Sequence, residues 1–400
     1  QLIQGVIRYD DEYRVSLYAD DLLLYLSDPA AAIPHVLSIL GDFGSFSGYK
    51  LNYQKSEFYP INDKAKRLKQ TDLPFHISKS GFKYLGVQIT DQFSSLFSAN
   101  FKPLLNQVKE DLTRWDSLPL SLTGRIQSVK MTILPKFSYL FQCIPLFLPK
   151  SFFKTLDQTI SSYIWAGKHP RIKNTTLQRG REDGGLGLPN FTYYYWAANV
   201  QKIAYWFHSP LTDWCMLEAD SCHSSSLLAI TYSKLPLSPS KFTKNPVVIN
   251  TFKIWSQLRS HFKFKDSSVN APIVRNHLFP PASLDFTFAH WRGKGLITFS
   301  DLYEGNIFNS FLGLRTKHGL PRDNIFRYFK IRDFARGQYP SFPERPRDQP
   351  WENLLKLQPG QRGHISTTYQ LLLCLNAFPL VQNRNKWETE LGETFEDEWW

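Results

Sequence analysis

Two adjacent carboxylates, Asp20 and Asp21, sit inside the stretch RVSLYADDLLLYLS, whose other residues are mostly apolar and strand-like. Buried without a partner, such a pair costs several kcal/mol. A divalent cation is a natural compensation, because hard cations take oxygen ligands. In two-metal phosphoryl transfer, carboxylates hold cations that activate a 3′-hydroxyl and stabilise the pyrophosphate leaving group. The dipeptide alone also fits a solvated β-turn. The apolar flanks and the leading Tyr18 favour the metal-holding reading.

The segments around this pair must position it. YRVSLYADDLLLYLS reads as two β runs around a polar dipeptide, a hairpin whose turn carries Ala19, Asp20 and Asp21. PAAAIPHVLSILGDFGSFSG follows with helical spacing at Ile33, Val36, Leu37 and Leu40, and Gly48 is placed to end the helix. YKLNYQKSEFYPI then predicts a strand, and GFKYLGVQIT a short hairpin or strand with a glycine turn. From about Phe101 the pattern becomes amphipathic helix: FKPLLNQVKEDLTRWDSL, then TGRIQSVKMTILPKFSYLF with Ile126, Val129, Ile133 and Leu134 on one face. RGREDGGLGLPNF is a loop before the aromatic helix TYYYWAANVQKIAYWFHS. After Ser209 the segments shorten and prolines multiply, which predicts a separate helical region with long loops.

Composition narrows the partner class. The 400 residues carry a formal charge of +12, which favours a polyanion. Cys143, Cys215, Cys222 and Cys374 form no CxxC pair, so the compartment reads as reducing and intracellular. CMLEADSCH, with Cys215, Cys222 and His223, lacks the tight pairing and fourth ligand of a zinc site. ILPKFSYLFQCIPLFLP is too short, and too interrupted by Lys136 and three prolines, to span a bilayer.

LYADDLLLY resembles the [FY]xDD box of reverse transcriptases. FSGYKLNYQKSEF, FKYLGVQIT, RWDSLPLSLTGRIQSVKMTILPKFSYLFQCIPLFLP and GGLGLPNFTYYYWAANV follow in order. That succession is similar to the reverse transcriptase of non-LTR (LINE-type) retrotransposons, closely over the first half and more loosely to about Tyr339. The resemblance implies an α+β fold: a partial palm (1–98), a helical thumb (99–209) and a mainly helical post-thumb region (210–400). It implies that Asp20 is a metal ligand and that Asp21 supports the metal site, with Tyr18 and Ala19 beside the primer terminus. Lys50 or Lys55 would donate a proton to the leaving pyrophosphate, the two being left undecided. Tyr84, Leu85 and Gly86 match the primer-grip hairpin. Mg²⁺ or Mn²⁺ is the implied cofactor, RNA template and DNA primer the partners, and the nucleus or a cytoplasmic ribonucleoprotein the location. Neither a membrane nor a defined oligomer is indicated.

The thumb supplies bases that contact phosphates without reading sequence, among them Lys102, Arg114, Arg125 and Lys130. The excess continues through Lys168, Arg171 and Lys173 in WAGKHPRIK, where Trp165 fits either a stacking surface or the core. A third carboxylate is implied on an earlier palm strand. Only thirteen residues precede Arg14, and Asp10, Asp11 and Glu12 lie too close to the hairpin to supply it. The expectation is therefore an RNA-directed DNA polymerase by resemblance that is inactive as this chain alone. The alternatives are a non-catalytic nucleic-acid-binding remnant, a maturase-like relative, from which GGLGLPNF and the aromatic helix after it point away, and a degenerate copy with no selected role. An incomplete palm would also leave strand edges unpaired, an association hazard.

Overall fold

The computed structural model describes residues 3–8, 11–305, 307–339, 349–375 and 388–394. The protein is mixed α and β, and it divides into two compact units, Gln1–Pro103 and Leu104–Trp400.

The first unit is built from short β pairs. Val6–Arg8 pairs with Asp11–Tyr13, Val15–Tyr18 with Asp21–Leu24, and Gly81–Tyr84 with Val87–Thr90, all antiparallel. Glu57–Phe58 pairs in parallel with His76–Ile77. Each sheet among the described residues has two strands, so every strand is an edge. The consequence is visible in exposure: Leu17 is 71% accessible. Asp20 and Asp21, although they sit within a mostly apolar run, are both exposed. Alternation places side chains on two faces, but a lone hairpin supplies no second layer to cover either one.

The helix Pro29–Ser47 forms where periodicity predicts it. Proline opens its first turn, where a missing N–H costs nothing, and Ala32, Ile33 and Val36 are buried. It stops at Gly48, whose φ of +73° is left-handed and whose N–H donates to Gly44 O at 2.9 Å. Ile39, Phe43 and Phe46 are exposed along the same helix. The strand expected in YKLNYQKSEFYPI shrinks to Glu57–Phe58. Asn52 is the reason, because its side-chain oxygen accepts from Lys55 N at 3.1 Å and its carbonyl accepts from Ser56 N at 3.0 Å. That local turn competes with strand extension.

The second unit is helical, and the helix Phe191–His208 runs through its core. Asn190 caps it, accepting from Tyr193 N at 3.1 Å, and residues on all sides of it are buried. It packs against Leu134–Cys143, Lys150–Ile164, Pro246–His261 and His364–Leu375, so helices before and after Ser209 share one core. Tyr195 pins the extended Ile144–Pro149 segment, donating to Leu146 O at 2.9 Å and accepting from Leu148 N at 3.0 Å. Leu148 is fully buried there. No helix among the described residues is long and apolar enough to cross a membrane.

The expected stripe continues through a local change of pitch. Leu122–Ser128 is α, Val129–Ile133 is a π turn, and Leu134–Cys143 is α again. Pro135 explains the change, since it lacks an N–H and its ring crowds the preceding turn. The Leu134 N–H accordingly reaches back five residues to Val129 O. Ile126, Val129, Ile133 and Phe137 stay fully buried across the break. Leu134, expected on this face, is half-buried.

One core-facing carboxylate yields a pH prediction. In the Lys150–Ile164 helix, burial pushes the Asp157 carboxyl up to about 6. The folded state thus holds its proton more tightly than the unfolded state, and stability falls as pH rises from about 4 to about 6. Asp157→Asn is expected to stabilise the protein by about 1–2 kcal/mol at pH 8, once solvent screening at this partly open position is allowed for, and to do little at pH 4. Urea denaturation at the two pH values checks this. Equal gains at both would refute it.

Candidate nucleic-acid interface

The Asp-Asp pair is held at the tip of a two-residue hairpin. Tyr18 pairs with Asp21 as the last register pair, leaving Ala19 and Asp20 as the loop. Ala19 takes φ +51°, a left-handed value that glycine adopts without cost and alanine does not. The ladder continues outward through Tyr25 N to Arg14 O at 2.8 Å, and the Ser16 and Tyr25 hydroxyls approach to 3.2 Å. This fixes the base of the hairpin while Tyr18, Ala19, Asp20 and Asp21 face solvent. The two carboxylates are therefore presented outward on a defined turn.

Neighbouring acids are committed elsewhere. Glu12 accepts from Gly5 N at 2.7 Å and pairs with Arg14; the Arg14 hydrogen bond holds its carboxyl down to about 2. Asp11 opens the second strand of a separate hairpin, its backbone in register with Arg8 and its side chain exposed, and Asp10 lies outside the described residues. Among the described residues no group of three His, Cys, Asp or Glu side chains is placed to hold a metal. As a donor set, Asp20 and Asp21 offer hard oxygens of the kind that bind Mg²⁺ when substrate phosphates complete the shell. Lys50 and Lys55 are both exposed, Lys55 within the turn that Asn52 closes.

The second hairpin is a tight one. Tyr84 pairs with Val87, and Leu85 and Gly86 take φ of +45° and +80°. Positive φ at both loop positions is the twist that matches a right-handed hairpin. Asn100, which sequence reasoning missed, fastens this hairpin to the π turn Phe97–Phe101. Its side chain accepts from Gln88 N at 2.8 Å and donates to Gln88 O at 2.9 Å and Leu96 O at 3.1 Å. A buried asparagine satisfied on both sides has no signature in a hydrophobic pattern. Lys102 follows, exposed, with its ammonium 6.0 Å from the Phe97 ring centre.

The basic residues of the second unit divide into two kinds. Arg125 is placed differently from the sequence expectation: it is only 6% accessible, and its guanidinium donates to Asp116 and to Tyr163 O at 2.8 Å. It also lies 4.9 Å from the Tyr163 ring centre, so it ties helices together. Arg114 and Lys136 both pair with the buried Asp111, Lys136 at 3.0 Å, although Arg114 is otherwise exposed. Lys168, Arg171 and Lys173 are of the other kind. All three are exposed on the segment after Ile164, and none makes an ion pair among the described residues. Trp165 opens that segment half-buried, with Ala166 and Gly167 both at positive φ. Lys130 is half-buried beside the glycine-rich loop, its ammonium 3.4 Å from where a Cβ of Gly187 would stand.

The cysteines take no part. All four are unpaired, and burial pushes the Cys215 thiol up to about 12.

No protein-family model matches the chain. Over 297 residues it is 22% identical to the Transposon TX1 uncharacterized 149 kDa protein of Xenopus laevis. That alignment covers 71% of this chain and 22% of the relative, so the chain spans about a fifth of the length of the curated protein it matches. The likeness is to a transposon-encoded protein, and it supports an origin in a transposable element.

Proposed function

We propose that this chain is part of a retroelement's RNA-directed DNA polymerase, bearing the carboxylate hairpin of the palm and the thumb that grips an RNA–DNA duplex. The observation that carries the reading is the outward presentation of Asp20 and Asp21 on a two-residue turn, in a chain whose later helical unit exposes unpaired cations. The distant transposon relative supports it. Asp20 and Asp21 would hold the divalent cation, which supplies charge neutralisation on phosphate when bound. Tyr18 and Ala19 flank the position of the primer end, and the Tyr84–Gly86 turn brings backbone close to the strand. Lys168, Arg171 and Lys173 meet phosphates through charge alone.

Acting alone, the chain holds duplex without extending it. Two carboxylates are a partial ligand set, and the acids on either side in sequence are engaged, Glu12 by Gly5 and Arg14 and Asp28 by Lys64. The test is primer extension on an annealed RNA template and DNA primer with Mg²⁺ or Mn²⁺, with binding measured in the same samples. Binding without incorporation is expected. Incorporation abolished by Asp20→Ala would instead make this chain a polymerase in its own right, and absence of binding would remove the reading altogether. A second reading, a nucleic-acid-binding remnant, is favoured by the free cations; it predicts binding that Asp20→Ala leaves unchanged even when Mg²⁺ is present.

A further inference from the structure

A cavity of about 270 Å³ opens in the second unit between the glycine-rich loop, the π turn and the helix His364–Leu375. The loop is folded back by its own backbone: Gly185 N donates to Gly180 O and Gly187 N to Arg179 O, both at 2.8 Å. Gly185 is required there, because a Cβ would stand 2.2 Å from Arg179 O. Lys130 reaches the cavity from the π turn and Arg181 from the loop. Neither makes an ion pair among the described residues. Gln127, Gln178 and Gln370 line it, the Gln178 amide oxygen accepting from Asn190 Nδ2 at 3.2 Å; among the described residues no acidic residue is in the lining, though Asp183 Oδ2 stands 3.3 Å from where a Cβ of the lining Gly180 would be.

An apolar wall completes the site. Tyr194 and Tyr369 stack with ring centres 4.0 Å apart and planes 16° from parallel, and Asn190 N donates to the Tyr369 hydroxyl at 3.2 Å. Burial pushes the Tyr369 phenol up to about 12, so it stays neutral. Two cations without partners, three amides and a stacked aromatic pair suit an anion attached to a flat body that hydrogen-bonds at its edge. The volume is at the small end for a ligand site, which limits the occupant to about one nucleotide.

We propose that this cavity docks a single unpaired nucleotide, with Lys130 and Arg181 on its phosphate and the glutamine amides at its base or sugar. The choice of a nucleotide among planar anions rests on the polymerase reading above; the preference for an anion with a flat body does not. The phosphate-bearing unit could be a free nucleotide or one residue of a single strand, and the experiment separates them.

Isothermal titration of the full chain with 5′-GMP, 5′-AMP, guanosine, inorganic phosphate and an RNA tetranucleotide tests the proposal, alongside binding of an RNA–DNA hybrid. At least one nucleotide is expected to bind more than tenfold tighter than guanosine or phosphate. Lys130→Gln and Arg181→Gln are each expected to weaken it about tenfold. Arg181 is exposed, so that variant reports on binding without threatening the fold. A tetranucleotide that binds more tightly than the mononucleotides identifies a strand as the source; equal affinities identify a free nucleotide. Hybrid binding intact with no saturable nucleotide binding, with phosphate alone binding equally well, or with no effect of Arg181→Gln, would overturn the site and leave the polymerase reading. Nucleotide binding without hybrid binding would sink that reading and leave the site.

Discussion

Neutralising Lys168, Arg171 and Lys173 together to glutamine is expected to weaken binding of an RNA–DNA hybrid by about 10- to 100-fold at physiological salt. The logarithmic salt dependence should become shallower by roughly 2–3, close to one unit per lost phosphate contact. All three are exposed, and no carboxylate neutralises them among the described residues. Thermal stability should hardly move, because exposed charges without partners contribute little to folding. Fluorescence anisotropy across a salt series checks both parts. An unchanged slope would place the duplex elsewhere on the chain. Arg125 makes the contrast, since its replacement should destabilise the fold through the lost bonds to Asp116 and Tyr163.

The largest effect on folding is expected at Arg259. This arginine is fully buried in the helix Pro246–His261, and its guanidinium donates to Ser233 O at 2.7 Å, Asp266 O at 2.6 Å, Phe264 O at 3.1 Å and Thr231 O at 3.3 Å. It lies 4.5 Å from the Trp351 ring centre, and burial holds its guanidinium down to about 10. Glu352, itself buried, supplies the compensating charge. Arg259→Leu would remove the guanidinium donors to the Ser233, Phe264 and Asp266 carbonyls and the positive charge facing Glu352, whereas Thr231 O keeps a second donor, Trp255 Nε1 at 3.0 Å. The expected loss is about 3–5 kcal/mol. Arg259→Lys should recover only part, since an ammonium cannot span acceptors arranged around a planar fork. Urea denaturation of both variants reads this out, and a loss below about 1 kcal/mol in Arg259→Leu would contradict the account.

The parts of the fold that follow one rule were legible from the residues. Alternation around a short polar loop placed the Asp20–Asp21 hairpin, and a glycine after a periodic run placed the end of the Pro29–Ser47 helix at Gly48. The stripe from Ile126 to Phe137 survived even where the helix changes pitch. What escaped depends on partners distant in sequence or on one side chain overriding a pattern. Asn52 closes a turn where apolar residues suggested a strand, and Pro135 turns α into π. Arg125 and Arg259 look like any surface base in the sequence, and only the packed structure reveals them as buried donors. The Tyr194–Tyr369 stack joins residues far apart in the sequence of the second unit. The exposure of the two aspartates is similar: a strand pattern shows which side chains share a face, and says nothing of whether a second layer covers it.

The polymerase-fragment account turns on duplex binding through unpaired cations. Its most direct test is the affinity of the intact chain for an RNA–DNA hybrid, measured by anisotropy from about 50 to 200 mM salt. Saturable binding whose logarithm falls with a slope of about −4 or steeper is the predicted result, corresponding to roughly five phosphate contacts. No saturable binding, or affinity indifferent to salt, would contradict it.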